Sequence, residues 1–352
     1  MFKYSACAVL TLAASIASAH HGTAGQFDQS RQLQVSGVIT RIRFVNPHSY
    51  VYFDVTADDG TVENWRCEMR AGTVLRRSGW SADMFAPGTM IHIDGVPARR
   101  EPHGCYVNEV KVGEGPAIQR YEQLETAEAG NHREEGRPAT LPNGQPNISG
   151  DWAAQQRLPS RAETLRRASG RSPRPSRYTA SEAGLAAAAD FVRDRDNPRF
   201  HCQAVNLVDD WNFDQHINRI EQTDDTITMT YGFMDIVRTI HLDRSEHPGG
   251  IAPSRAGHSI GNWDGNTLTV DTLGFSAGWL DVRAGVKHSE QLHVAEKFVL
   301  DLDRQTITRS YTIEDSLFLA ESRSGQDVVY LSPTPFEAYD CEDLTEEIVE
   351  GF

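Results

Sequence analysis

Asn262-Trp263-Asp264-Gly265-Asn266, followed by the alternating run Thr267-Leu268-Thr269-Val270-Asp271-Thr272, is the stretch whose reading decides the fold. An Asp-Gly pair between strand-like runs signals a hairpin, because glycine reaches the positive φ that a tight turn between twisted strands demands. Strand signals recur around it at 226–231, 237–242, 292–300, 307–313 and 327–331. Regular strands with turn signals and few helices predict an antiparallel, lipocalin-like barrel or sandwich over 201–352, and a closed up-and-down barrel with a ligand cavity is the preferred form.

Upstream, 34–112 reads as strand after strand, broken where Gly, Pro and Asp cluster at 57–60, 86–88 and 101–104. About five short strands in that span suggest a small OB-like barrel over 20–115. Between the two lies 116–200. Its segment 157–177 carries seven Arg and one acidic residue, without apolar periodicity, and reads as an Arg-rich linker. A short helix is expected after it, since Thr179-Ala180-Ser181-Glu182 matches a capping box and Leu185, Ala189 and Val192 recur at helical spacing. The fold class is therefore mainly β, with two β domains joined by this linker and helix.

Charge and length bound the function. The chain has 352 residues, 39% hydrophobic and 24% charged, with a formal net charge of -15. Nucleic-acid binding is disfavoured, because that affinity comes from clustered Lys and Arg meeting phosphate. The acid is concentrated: 201–352 holds ten Lys/Arg against twenty-seven Asp/Glu, whereas 20–115 is nearly neutral. Lys3, the apolar run 6–16 and then Ala17-Ser18-Ala19 have the three parts of a secretory signal, so 1–19 is expected to be removed and the protein to be periplasmic or secreted. The apolar run is too short to span a bilayer, which argues against an integral membrane protein. Four cysteines then remain, and in an oxidising compartment the pairs Cys67 with Cys105 and Cys202 with Cys341 are favoured, each within one domain.

Cleavage after Ala19 would leave His20-His21-Gly22 at the mature N-terminus. A first-position histidine offers its α-amine and its imidazole Nδ1 to one metal ion. Copper suits such nitrogens. A third nitrogen is expected from His48 in Asn46-Pro47-His48-Ser49-Tyr50-Val51-Tyr52, where alternation puts His48, Tyr50 and Tyr52 on one face and Val51, Phe53 and Val55 on the other. His21 offers a second geometry, through the amine, a deprotonated amide and its own imidazole. His92 or His103 could replace His48, and Glu68 or Met69 could supply an axial group.

In the acidic domain, alternation places Glu296 with Leu292, Val294 and Phe298, and Arg309 and Asp315 with Ile307, Tyr311 and Ile313. A carboxylate among apolar residues must be paired or neutralised. Two readings follow: a structural Arg309–Glu296 ion pair, or a site in which Glu296 or Asp315 works with His258 or His288 as general acid and base. No nucleophile elbow, phosphate loop or zinc motif occurs in the sequence.

His20-His21, Asn46-Pro47-His48-Ser49-Tyr50, the stretch 65–69, Gly79-Trp80-Ser81 and Pro87-Gly88 together resemble a widespread family of exported bacterial proteins whose domain has no assigned function. The resemblance covers roughly 20–115 and picks out the two proposed ligand segments. Downstream, Pro146-Asn147-Ile148-Ser149-Gly150-Asp151-Trp152, Gly257-His258-Ser259-Ile260-Gly261-Asn262-Trp263-Asp264-Gly265-Asn266-Thr267-Leu268 and the positions His288, Ser289, Glu296 and Asp315 resemble a second uncharacterised exported group. The chain departs from it at Gln203-Ala204-Val205, where a Pro-Pro-Gly run is expected. These observations favour a two-domain copper-binding protein of the periplasm with a histidine brace, of carrier or oxidoreductase type. The alternatives are a metal-independent lyase, isomerase or hydratase acting on a small ligand in the second barrel, and a non-catalytic ligand-binding protein.

Overall fold

Alternation becomes two barrels. A computed structural model of the chain describes residues 26–122, 124, 134–154, 176–213 and 216–342. The expected signal peptide, the expected copper ligands His20 and His21, and most of the Arg-rich segment lie outside the described residues.

In the first barrel the strands are β1 (Leu33–Arg43), β2 (Tyr50–Thr56), β3 (Val62–Glu68), β4 (Met90–Pro97) and β5 (Gly104–Val112). They close in the order β1-β2-β3-β5-β4, through a parallel β3–β5 contact and a β1–β4 pairing. This is the OB arrangement expected from the sequence. β6 (Ala117–Gln119) extends β5 on the outside. Val51 and Phe53 point inward at 0% exposure and pack with Ile39, Ile91 and Val107. Gly95 is required where β4 crosses β5, since a Cβ there would stand 2.4 Å from the Tyr106 carbonyl oxygen. Cys67 and Cys105 are register partners across β3–β5 and form the expected disulfide.

Nine strands close the second barrel: β7 (Gly150–Ala154), β8 (Ile217–Gln222), β9 (Thr226–Thr230), β10 (Val237–His241), β11 (His258–Asp264), β12 (Thr267–Leu273), β15 (Leu292–Asp301), β16 (Thr306–Asp315) and β17 (Arg323–Leu331). A side hairpin, β13 (Gly278–Asp281) with β14 (Val286–His288), falls between β12 and β15 in the chain and stays outside the ring. Chain order is ring order, and β7 closes the ring against β17. Two features differ from the sequence expectation. The β10–β11 pairing is parallel, because the connection at 242–257 returns the chain to the starting end of β10 instead of turning back directly. β7 lies inside the span read as linker, so the barrel begins about fifty residues before residue 201. The decisive hairpin is present: Asp264 pairs with Thr267 around Gly265 and Asn266, with Gly265 at φ 55. Trp152, Trp211, Tyr231, Ile227 and Met229 pack the interior.

The expected helix spans Glu182–Ala187, but its cap is Ser181, whose side chain accepts from the Gly184 N–H at 3.0 Å. Thr179 instead donates to Glu321. Leu185 and Val192 are exposed; the helix docks through Gly184, where a Cβ would meet the Phe318 carbonyl oxygen at 2.3 Å. Close backbone approach, not an apolar stripe, fixes this helix.

The barrels touch through the β1–β2 loop. Asn46, 3% exposed, donates its amide to the Tyr339 carbonyl, accepts from the Thr73 N–H and hydroxyl at 3.2 and 3.1 Å, and its own carbonyl accepts from the Glu342 N–H at 2.8 Å. Thr73 also meets His216 Nδ1 at 3.3 Å, and Arg77 donates to the carbonyls of His216 and Ala154. Cys341, bonded to Cys202 as expected, lies beside Asn46 in an isolated bridge.

Candidate functional site

On the first barrel the outward face of β2 and β3 carries the polar group the sequence pointed to. Tyr50 is opposite Glu68 and Tyr52 opposite Arg66, while their neighbours Val51 and Cys67 face the core. His48, just before β2, sets its Nδ1 2.8 Å from Glu68 Oε1; the imidazole is 40% exposed and the carboxylate 5%. Burial alone would lower the His48 pKa, but the Glu68 charge and hydrogen bond outweigh it and hold the imidazole above its usual value. Tyr50 donates to Glu68 at 3.4 Å, and burial next to that carboxylate pushes its phenol well up. Glu68 therefore sits against the candidate ligand. Met69 does not: it is 1% exposed in the barrel core. His92 bonds Ser36, and His103 lies against Glu63 and Trp65, each with partners separate from those of His48.

Phe27 stacks on Tyr106 with ring centroids 5.1 Å apart, and Tyr106 is the register partner of Glu68. Backbone bonds from Asp28 to Pro97 and from Arg99 to Gln26 fix this segment beside the end of β4. The first described residues thus lie on the same face as the Glu68–His48 pair.

The four acid–base candidates of the second barrel are not gathered into one site. Glu296 is buried between Arg238, whose Nη2 lies 2.5 Å from Oε2, and Arg309, whose Nη1 lies 3.2 Å from Oε1. Arg309 also holds Asp327, and Arg238 donates to Ser259 and Thr272. This is the ion-pair reading, enlarged by an arginine and an aspartate the sequence did not identify. Asp315 accepts from the Ser289 N–H and hydroxyl and from the N–H groups of Leu317 and Phe318, a turn-holding role. His288 stands 4% exposed beside Ser289, and burial lowers its pKa. His258 faces the other way, on the outer surface of β11. Its Nδ1 is 2.9 Å from His247 Nδ1 and its ring stacks on His241 at 5.0 Å. Burial, with His241 and His247 beside it, lowers its pKa.

A cavity of about 280 Å³ near the Cys202–Cys341 disulfide is lined by Gln203, Ala204, Met234, Asp235 and Arg255 among others. It lies where the chain departs from the Pro-Pro-Gly pattern. No described helix is long and apolar enough to cross a membrane.

Sequence reasoning missed His247, whose loop has no periodicity, and the role of Asn46, which it named only as part of the Asn46–Tyr50 motif and which anchors the second barrel. No curated protein matches the chain. Residues 8–112, which include β1 to β5 and the Glu68–His48 pair, match a family described only as "Family of unknown function (DUF6152)", and in that part the chain is similar to an uncharacterised domain.

Proposed function

We propose that the chain is an exported copper-binding protein whose first barrel carries the metal, with His48 as the fixed ligand and the amine and imidazole of His20 completing a brace. The observation that carries this reading is the Glu68–His48 pair. A carboxylate holding one ring nitrogen is the usual support of a metal-binding histidine, since it orients the ring and makes the other nitrogen a better donor. The metal would take His48 Nε2. Six residues from His20 to Gln26 span up to roughly 20 Å when extended, and Gln26 is bonded on the Tyr106 side of the same barrel. Two disulfides accord with an oxidising compartment, periplasmic or extracellular. For the second barrel, the Gly257–Leu268 motif supports kinship with the second uncharacterised exported group.

Metal analysis of protein exported through its own signal tests the reading, beside a version with one Gly inserted before His20. One copper per chain in the first and its loss in the second is the expected result. Equal copper in both would remove the brace, and copper in neither would remove the function.

A further inference from the structure

The outer face of the second barrel carries a cluster of imidazoles. His258 on β11, Asp271 on β12 and His293 on β15 lie on three adjacent strands, and His247 reaches over them from the loop after β10. Asp271 ties the group together: one oxygen is 2.9 Å from His247 Nε2 and the other 2.6 Å from His293 Nε2. His293 Nδ1 also stands 3.9 Å from Glu314.

Asp271 determines what His247 can do. A carboxylate accepts, so the His247 proton belongs on Nε2, and the lone pair of Nδ1 is aimed at His258. His258 presents its own Nδ1 at 2.9 Å and donates a hydrogen bond in the metal-free chain; on binding, His258 carries its proton on Nε2 instead and the ion replaces the bridging hydrogen, off the line between the two nitrogens. Two nitrogens bound to one ion at about 2.05 Å and separated by this distance subtend an angle of about 90° at the metal. A tetrahedral ion would need its ligands about 3.3 Å apart. A right angle is the spacing of neighbouring ligands in a tetragonal or octahedral shell, which Cu(II) and Ni(II) adopt with imidazole.

We propose that His247 and His258 form a second metal site, selective for a divalent ion of tetragonal preference, with Asp271 as the positioning residue that fixes the His247 tautomer. The site is independent of the brace on the first barrel. It is an open site, for among the described residues no three ligands are grouped closely enough to hold an ion alone, and water or an exogenous ligand fills the remaining positions. The field favours a cation: Asp271 and Glu314 lie on the same face, and Arg244, the nearby positive charge, is paired with Asp243 at 3.0 Å.

The test is a titration of the full chain, labelled with ¹⁵N in its imidazoles, with Cu(II) alone to two equivalents near pH 7.5. Signals of His247 and His258 are expected to broaden beyond detection by the second equivalent, while those of buried His216 and His288 persist. Persistence of the His247 and His258 signals at two equivalents overturns the proposal, and needs no variant to fold. Calorimetry adds a second readout. His258→Gln should abolish one binding event, and Asp271→Asn should weaken that event tenfold or more while leaving the other unchanged. Two undiminished events in both variants would likewise overturn it.

Discussion

The side-chain amide of Asn46, in the loop that ends at the first barrel's β2, donates to the backbone carbonyl of Tyr339, in the segment that follows the last strand of the second. One buried asparagine thereby reads both barrels at once. Its oxygen is occupied by Thr73 and its carbonyl by the Glu342 N–H, so the contact belongs to a network. Asn46→Ala leaves buried groups of Thr73 and Tyr339 unsatisfied, a loss of about 1–3 kcal/mol for each group left without a partner. We expect a lower melting temperature and new proteolytic cleavage between the barrels, measured by calorimetry and limited trypsin digestion. An unchanged digestion pattern would mean that the barrels are held elsewhere.

Glu296 supplies a prediction of opposite character. It neutralises Arg238 and Arg309 within the barrel, and all three side chains are 0–1% exposed. Glu296→Ala removes the anion and leaves two buried guanidiniums facing one another, with Asp327 as the one carboxylate still bonded to Arg309 and none on Arg238 among the described residues. Breaking a buried pair in this way costs about 3–5 kcal/mol. Urea denaturation should show that loss, and a variant within 1 kcal/mol of the parent would contradict the pairing.

His216 makes the domain contact sensitive to acid. It is 4% exposed against Phe213, Phe233 and Tyr339, and burial followed by the charges of Arg77, Arg70 and Arg199 lowers its pKa from 6.5 to about 3. Between these values the unfolded chain binds a proton that the folded chain refuses, so stability is full above pH 6.5 and falls as the pH drops toward 3. The slope approaches about 1.4 kcal/mol per pH unit in that window. Melting temperatures of the parent and of His216→Gln, recorded from pH 7 to pH 4, should converge as the pH falls. Parallel curves would show that His216 titrates normally.

The two disulfides should contribute unequally. Cys202 and Cys341 close 139 residues and Cys67 and Cys105 close 38, which in the chain-entropy model is worth about 5 and about 4 kcal/mol. Replacing each pair by serine and comparing denaturation midpoints measures the difference. Loss of the Cys202–Cys341 bond should also loosen the domain contact, because Cys341 lies next to Asn46.

Strand identity was legible because inward and outward residues alternate cleanly. β15 and β16 bury the residues that the period of two assigns to the inside, including Glu296, Arg309 and Asp315. β7 was hidden because it is five residues long and its inward Trp152 is flanked by Gly, Asp and Ala, too little pattern to rise above a linker. The partner Arg238 was equally invisible: it sits on β10, fifty-eight residues from Glu296, and only ring closure brings them together. For the candidate sites the sequence supplied His48 and His258 but not their companions. Glu68 entered only as an axial group, whereas it stands 2.8 Å from the ring's Nδ1. His247 comes from a loop whose path no periodicity encodes, and Asp271 and His293 look like ordinary outward positions on half-buried strands.

The pairing of β7 with β17 also sets a timetable for synthesis. The first barrel has all five ring strands once residue 112 has emerged, so it can close while translation continues. The second cannot, because β7, paired with β8 on one side through Trp152 and Asn218, finds its partner on the other side only when Leu331 has been made, about 180 residues later. At about 5–20 residues per second that interval is roughly 9–36 s. Throughout it the edge of β7 that faces β17 stays unpaired, a surface that chaperones would recognise. A chain stopped short of β17 would keep that surface for good.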